Sequence, residues 1–86
     1  NGAVAVGSKA NATKKSAAAF GRDSNASGES STALGSGANA SGQYSFAGSV
    51  KAKASGLQSI AIGRNAEASA ENSVVQRKLR QKILLQ

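Results

Sequence analysis

Ser59-Ile60-Ala61-Ile62-Gly63 decides how this chain is read, because the same five-place pattern stands fourteen residues before it and fourteen before that. The earlier copies are Ser45-Phe46-Ala47-Gly48-Ser49, Ser31-Thr32-Ala33-Leu34-Gly35, Ala17-Ala18-Ala19-Phe20-Gly21 and Ala3-Val4-Ala5-Val6-Gly7, and a further copy opens at Ser73-Val74. A second motif fills the other half of each period: Ala10-Asn11-Ala12-Thr13, Ser24-Asn25-Ala26-Ser27, Ala38-Asn39-Ala40-Ser41, Ala52-Lys53-Ala54-Ser55 and Ala66-Glu67-Ala68-Ser69. No insertion disturbs the register, so each period is read as one coil of a solenoid.

Within the first half-unit the second and fourth places carry the large residues, as in Val4 and Val6 or Ile60 and Ile62. That is the two-residue period of a strand. The second half-unit alternates again, alanine flanking Asn11, Asn25, Asn39, Lys53 and Glu67, and its polar member is expected to face solvent. Gly7, Gly21, Gly35 and Gly63, with Gly28, Gly42 and Gly56, fall between the half-units. They are read as corners where the backbone needs a positive φ. Like strands stacked in parallel at about 4.8 Å make five coils a block roughly 24 Å tall. A helical body is excluded by glycine near every seventh place, each costing about 1 kcal/mol in a helix interior.

Fourteen residues enclose a thin coil, with room inside for alanine and serine but not for rows of isoleucine. The hydrophobic content is 40%, yet eighteen of those residues are alanine. The larger apolar side chains must therefore point outward from their own coil, where water would strand them. Several chains meeting on that face would bury them, and the residues expected there are Val4, Val6, Phe20, Leu34, Phe46, Ile60, Ile62 and Val74. At Ser45-Phe46-Ala47-Gly48-Ser49 a glycine occupies a place expected to be large, and Phe46 is expected to fill the gap.

The tail reads differently. Ser73-Val74-Val75-Gln76 has the form of a capping box, and a glycine-free run follows to Gln86. The sequence predicts a short helix from about Val74, with Gln76, Leu79, Ile83 and Gln86 at the spacing of a coiled-coil seam. Two segments follow: repeats over 1–73 and a basic segment over 74–86. The net charge of +7 divides between them. The repeats hold seven cations against four acids, and Arg77, Lys78, Arg80 and Lys82 in the tail face none. A basic surface favours anionic partners, so a polyanion- or nucleic-acid-binding module using the tail is the rival functional reading. The chain holds only three aromatic rings on which single-stranded bases would stack, Phe20, Tyr44 and Phe46.

Ser59-Ile60-Ala61-Ile62-Gly63, continuing to Ala66-Glu67-Ala68, resembles the Ser-Val-Ala-Ile-Gly…Ala-x-Ala repeat of YadA-like head domains, from the trimeric autotransporter adhesins of Gram-negative bacteria. The resemblance covers about residues 2–75, and Asn72-Ser73-Val74 resembles a further copy or the opening of the neck. It implies an all-β, left-handed parallel β-roll whose three chains pack about a common axis with the apolar pairs at its centre. It also implies a non-enzymatic adhesin head, exposed at the bacterial cell surface on an outer-membrane protein. The partners implied are host matrix proteins such as collagen, fibronectin or laminin, host cells, or other bacteria in autoaggregation. The candidate ligand face is Asn11, Asn25, Asn39, Lys53 and Glu67.

Other chemistry reads weakly. No cysteine or histidine is present, so thiolate or imidazole metal sites and most nucleophile arrangements are absent, and redox compartment cannot be read. Asn11-Ala12-Thr13, Asn25-Ala26-Ser27 and Asn39-Ala40-Ser41 match the N-glycosylation pattern, but they recur because the repeat does. Gly35-Ser36-Gly37 lacks the Lys-Thr ending of a phosphate loop. Asp23 with Glu29, or Glu67 with Glu71, are the only pairs to weigh as acid and base, and a narrow roll offers them no pocket. The glycine-rich calcium repeat of other β-rolls needs aspartates, and this chain has one. An ice-binding face needs a regular hydroxyl ladder, whereas threonine occurs only at Thr13 and Thr32. No catalytic, metal or cofactor site is expected. No secretory signal is visible at Asn1, no apolar run reaches the length of a membrane span, and a chain starting without methionine reads as a mature or excised piece.

Overall fold

A computed structural model describes residues 2–76. Eleven short strands alternate in length along them: β1 (Val4–Val6), β2 (Asn11–Ala12), β3 (Ala18–Phe20), β4 (Asn25–Ala26), β5 (Thr32–Leu34), β6 (Asn39–Ala40), β7 (Phe46–Gly48), β8 (Lys53–Ala54), β9 (Ile60–Ile62), β10 (Glu67–Ala68) and β11 (Val74–Gln76). The three-residue strands form one sheet in the order β1-β3-β5-β7-β9-β11, and the two-residue strands form another, β10-β8-β6-β4-β2. Every pairing is parallel and offset by fourteen residues, as in Val4 with Ala18, Phe46 with Ile60 and Asn25 with Asn39. Two facing sheets of this kind, joined at both edges by turns, are the solenoid that the period predicts. No helix occurs among the described residues.

Alanine fills the space between the sheets. Ala19, Ala33, Ala47 and Ala61 from the first sheet and Ala26, Ala40 and Ala54 from the second are 0% exposed, and they belong to one continuous core. Serine takes the buried places beside the turns, and its hydroxyl is accommodated locally. Ser24, Ser31, Ser59 and Ser73 donate from Oγ to the carbonyls of Gly21, Gly28, Gly56 and Ala70, three residues back, at 2.6–2.7 Å. Such pairing removes the cost of burying a hydroxyl. Ser45, in the same place one coil on, has no partner for its buried Oγ.

The turns come every seven residues. In each, the carbonyl of the first residue accepts from the N–H of the fourth, as from Ala10 to Gly7 and Ser31 to Gly28 at 3.1 and 3.2 Å. The third residue lies in the left-handed region, φ 56–73°, in all ten turns, as in a type II turn. Only Gly37 is glycine there; Tyr44, at φ 60°, is the bulkiest occupant. Stacking supports this strained conformation. The third residue's N–H donates to the coil beneath, Tyr44 to the Glu29 carbonyl at 2.9 Å and Asp23 to that of Ser8 at 2.9 Å.

Glycine at the corners therefore has two different causes. Gly21 and Gly35 adopt φ of 125° and 128° where the first sheet ends, as expected. Gly28, Gly42 and Gly56 have no positive φ, which corrects the reading that they serve backbone freedom. A Cβ on Gly42 would collide with the carbonyl oxygen of Gly56 in the next coil, so close approach of successive coils demands glycine there.

The strand β11 corrects the expectation of a helix from about Val74. Val74, Val75 and Gln76 pair in parallel with Ile60, Ala61 and Ile62, and Ser73 spends its hydroxyl on Ala70 rather than on a helix N-terminus. The ladder of the preceding coil offers three pairing residues, and this outweighs a local capping pattern. The rest of the predicted helix, the seam at Leu79, Ile83 and Gln86, and the tail cations Arg77, Lys78, Arg80 and Lys82 lie outside the described residues.

Three outcomes follow for stability. Ala33→Leu forces a large side chain into a gap sized for a methyl group and should lower the unfolding free energy by about 3 kcal/mol; Gly42→Ala should destabilise through its clash with Gly56, and urea unfolding followed by circular dichroism measures both. The double change Asn25→Asp and Asn39→Asp stacks two carboxylates on paired residues of β4 and β6, about 4.8 Å apart between backbones. It should cost roughly 1–3 kcal/mol at neutral pH and low salt. Mutual repulsion raises the folded-state pKa of the pair, so the penalty should vanish as pH falls below the carboxylate range and shrink in high salt, both read from thermal melts.

Candidate functional site

Because the interior accepts only small residues, the side chains that distinguish one coil from the next stand on the outside, and the two sheets give them opposite characters. On the first sheet the outward columns are Val4, Ala18, Thr32, Phe46, Ile60 and Val74, and Val6, Phe20, Leu34, Gly48 and Ile62. Val6, Leu34 and Ile62 are 53%, 48% and 41% exposed, and Val4, Phe20 and Val74 are exposed as well. Phe46 and Ile60 are half-buried by their neighbours on this face. The place left empty at Gly48 is covered as expected: a Cβ built on Gly48 would stand 2.7 Å from Phe46 Cε2. An apolar face of this extent is rare on a soluble chain unless something covers it.

The second sheet presents polar residues. Asn11, Asn25, Asn39, Lys53 and Glu67 form one column in register, flanked by Thr13, Ser27, Ser41, Ser55 and Ser69. Asn11, Lys53 and Glu67 are exposed; Asn25 and Asn39 are only half-exposed, contrary to the expectation that each polar member faces solvent freely. Their Oδ1 atoms are buried without a hydrogen-bond partner. Near the end of this column Lys51, Lys53, Asn65, Ala66 and Glu67 line a shallow basin of about 290 Å³.

The carboxylates considered for acid-base work are not brought together. Asp23 sits on the turn after β3 and Glu29 on the turn after β4, at opposite edges of the coil. Asp23 approaches Arg22 at 3.9 Å, and Glu29 Oε1 accepts from Gln43 Nε2 at 2.9 Å. Glu67 stands on the second sheet and Glu71 on a turn. Among the described residues no three acidic, histidine or cysteine side chains are grouped to hold a metal ion. The charged turn residues form two edge ladders that the sequence reading passed over. The signal was the seven-residue spacing of the turns, half the period that dominates the sequence.

The family model for the YadA head domain repeat (2 copies) matches residues 1–25, 26–47 and 54–75. The gap between the last two matches contains Gly48, where the apolar pattern is interrupted. No curated protein matches the chain. With the repeat matched over most of its length, and with the alanine-filled coils and outward apolar face that such a repeat builds, the chain belongs to the YadA head family, adhesin repeats of trimeric autotransporters.

Proposed function

We propose that this chain is a head segment of a bacterial surface adhesin in which three copies pack their first sheets about a common axis and turn their second sheets outward to a ligand. The observation that carries the reading is the exposure of Val4, Val6, Phe20, Leu34, Ile62 and Val74 on one face of a coil whose interior has no room for them. Burial of each such side chain is worth roughly 1.5–3 kcal/mol, and only other chains can provide it. Family membership supports three as the number, the left-handed winding and display at the outer surface of the cell. The core of the assembly is Val4, Val6, Phe20, Leu34, Phe46, Ile60, Ile62 and Val74.

The ligand face is the column Asn11, Asn25, Asn39, Lys53 and Glu67 with its serine neighbours. It is a shallow polar ledge, and three copies repeat it. Weak contacts to a repetitive partner then add through effective concentration, which suits collagen, fibronectin or laminin in host matrix, a host cell surface, or a second bacterium in autoaggregation. The half-burial of Asn25 and Asn39 shifts the weight of recognition towards Asn11, Lys53 and Glu67.

Sedimentation equilibrium of the purified chain should return the mass of three copies, and Leu34→Asp with Ile62→Asp should shift it to one. In a solid-phase assay on collagen, fibronectin, laminin and whole cells the trimer should attach, and the monomeric variant should lose about 100-fold in apparent affinity. A trimer that attaches to none of these, nor to itself, reduces the segment to a spacer.

A further inference from the structure

We infer that the two turn edges of this chain are complementary coil by coil, so that neighbouring copies in the assembly join edge to edge through Arg22 with Glu29, Arg64 with Glu71, and Val50 with Leu57. The inference rests on the self-association proposed above and adds which residues join the copies.

The second residues of the turns form two ladders. On the edge that follows the first sheet they are Ser8, Arg22, Ser36, Val50 and Arg64; on the edge that follows the second sheet they are Lys15, Glu29, Gln43, Leu57 and Glu71. Each ladder is rigid, because each turn is bonded to the one beneath, as Gly37 N–H is to the Arg22 carbonyl at 2.9 Å and Asn72 N–H to that of Leu57 at 2.7 Å. Arg22, Glu29, Arg64 and Glu71 are exposed, and so are Val50 and Leu57, at 40% and 38%. Within one chain the partners cannot meet: five extended residues at about 3.3 Å hold the two edges roughly 17 Å apart.

Parallel copies related by rotation about an axis along the solenoid keep every residue at its own height. The edge after the first sheet of one copy then faces the edge after the second sheet of the next, a heterologous contact that closes on itself. Same-coil pairing sets Arg22 against Glu29 of the partner subunit, Arg64 against Glu71 of the partner subunit and Val50 against Leu57 of the partner subunit. It also places Gly37, the one glycine among the third turn residues, opposite Tyr44 of the partner subunit, the largest of them. At a rise of about 4.8 Å per coil each turn of one edge stands half a coil, about 2.4 Å, from two turns of the other edge. The alternative pairing, with the preceding turn, sets Arg22 against the partner's Lys15, Val50 against the partner's Gln43 and Arg64 against the partner's Leu57, and every match is lost. The dimensions agree. Three faces roughly 17 Å wide, closed into a prism, stand roughly 5 Å from its axis, half the ~10 Å spacing of packed sheets, so the edges meet when the apolar faces do.

The test uses the absence of cysteine from the chain. Val50→Cys with Leu57→Cys, mildly oxidised, should give covalent species that end at three chains, because a disulfide needs Cα atoms within about 7 Å and the two thiols of one chain lie too far apart. Val50→Cys with Gln43→Cys, the alternative pairing with the preceding turn, should cross-link much less. Independently, Arg22→Glu with Arg64→Glu should weaken association about tenfold, and adding Glu29→Arg with Glu71→Arg should restore it. Chains that sediment as trimers yet stay uncross-linked, or that cross-link equally in both pairs, overturn the edge pairing and leave the trimer standing. A charge-swapped variant as weak as the reversed one does the same. An unmodified chain that sediments as a monomer overturns both readings.

Discussion

The separation of the two sheets governs this molecule. A coil of fourteen residues spends more than half of them on two four-residue turns, and the short strands that remain face each other across a gap that a methyl or a hydroxymethyl group fills. Ala19, Ala26, Ala33, Ala40, Ala47, Ala54 and Ala61 all sit in that gap without exposure. Such an interior brings little apolar area per residue. The backbone supplies the cohesion instead: strands and turns alike are bonded to the coil beneath, and the in-register stacking tolerates no side chain where Gly28, Gly42 and Gly56 approach the next coil.

Excluding bulk from the interior separates functions onto different surfaces. Valine, leucine, isoleucine and phenylalanine collect on the first sheet, asparagine, lysine, glutamate and serine on the second, and ionic residues on the two edges. In the proposed assembly the apolar surface meets other copies of the chain, the polar one is left for ligand, and the edges face their counterparts. Since each surface is a ladder with one rung per coil, a single substitution alters one rung, while a shift by one coil alters all of them. Phe46 over Gly48 interrupts the apolar ladder without leaving a hole, which gives an otherwise uniform face a marked position.

Much of this was legible in the letters. The period gave the coil, the alternation gave the strands, and the volume of a fourteen-residue winding placed alanine inside and valine outside. The misreadings share a cause: each took a local pattern for a sign of conformation when a contact between coils decided it. Ser73-Val74-Val75-Gln76 looks like the start of a helix, but a waiting strand at Ile60-Ala61-Ile62 captures it. Gly42 looks like a corner needing positive φ, but the carbonyl of Gly56 is what excludes a side chain. Asn25 and Asn39 alternate like exposed residues, yet stacking buries their amide oxygens.

The sequence by itself determined the repeat, its parallel register and the partition of small and large residues, because these follow from spacing and side-chain volume alone. Only the tertiary structure decided that every turn holds its third residue at positive φ, with Tyr44 and Lys51 as readily as with Gly37. The same holds for Gly42, whose missing side chain answers to the carbonyl of Gly56 in the next coil. The physical reason is that both depend on contacts from each coil to its neighbour, and those contacts exist only once the coils have stacked.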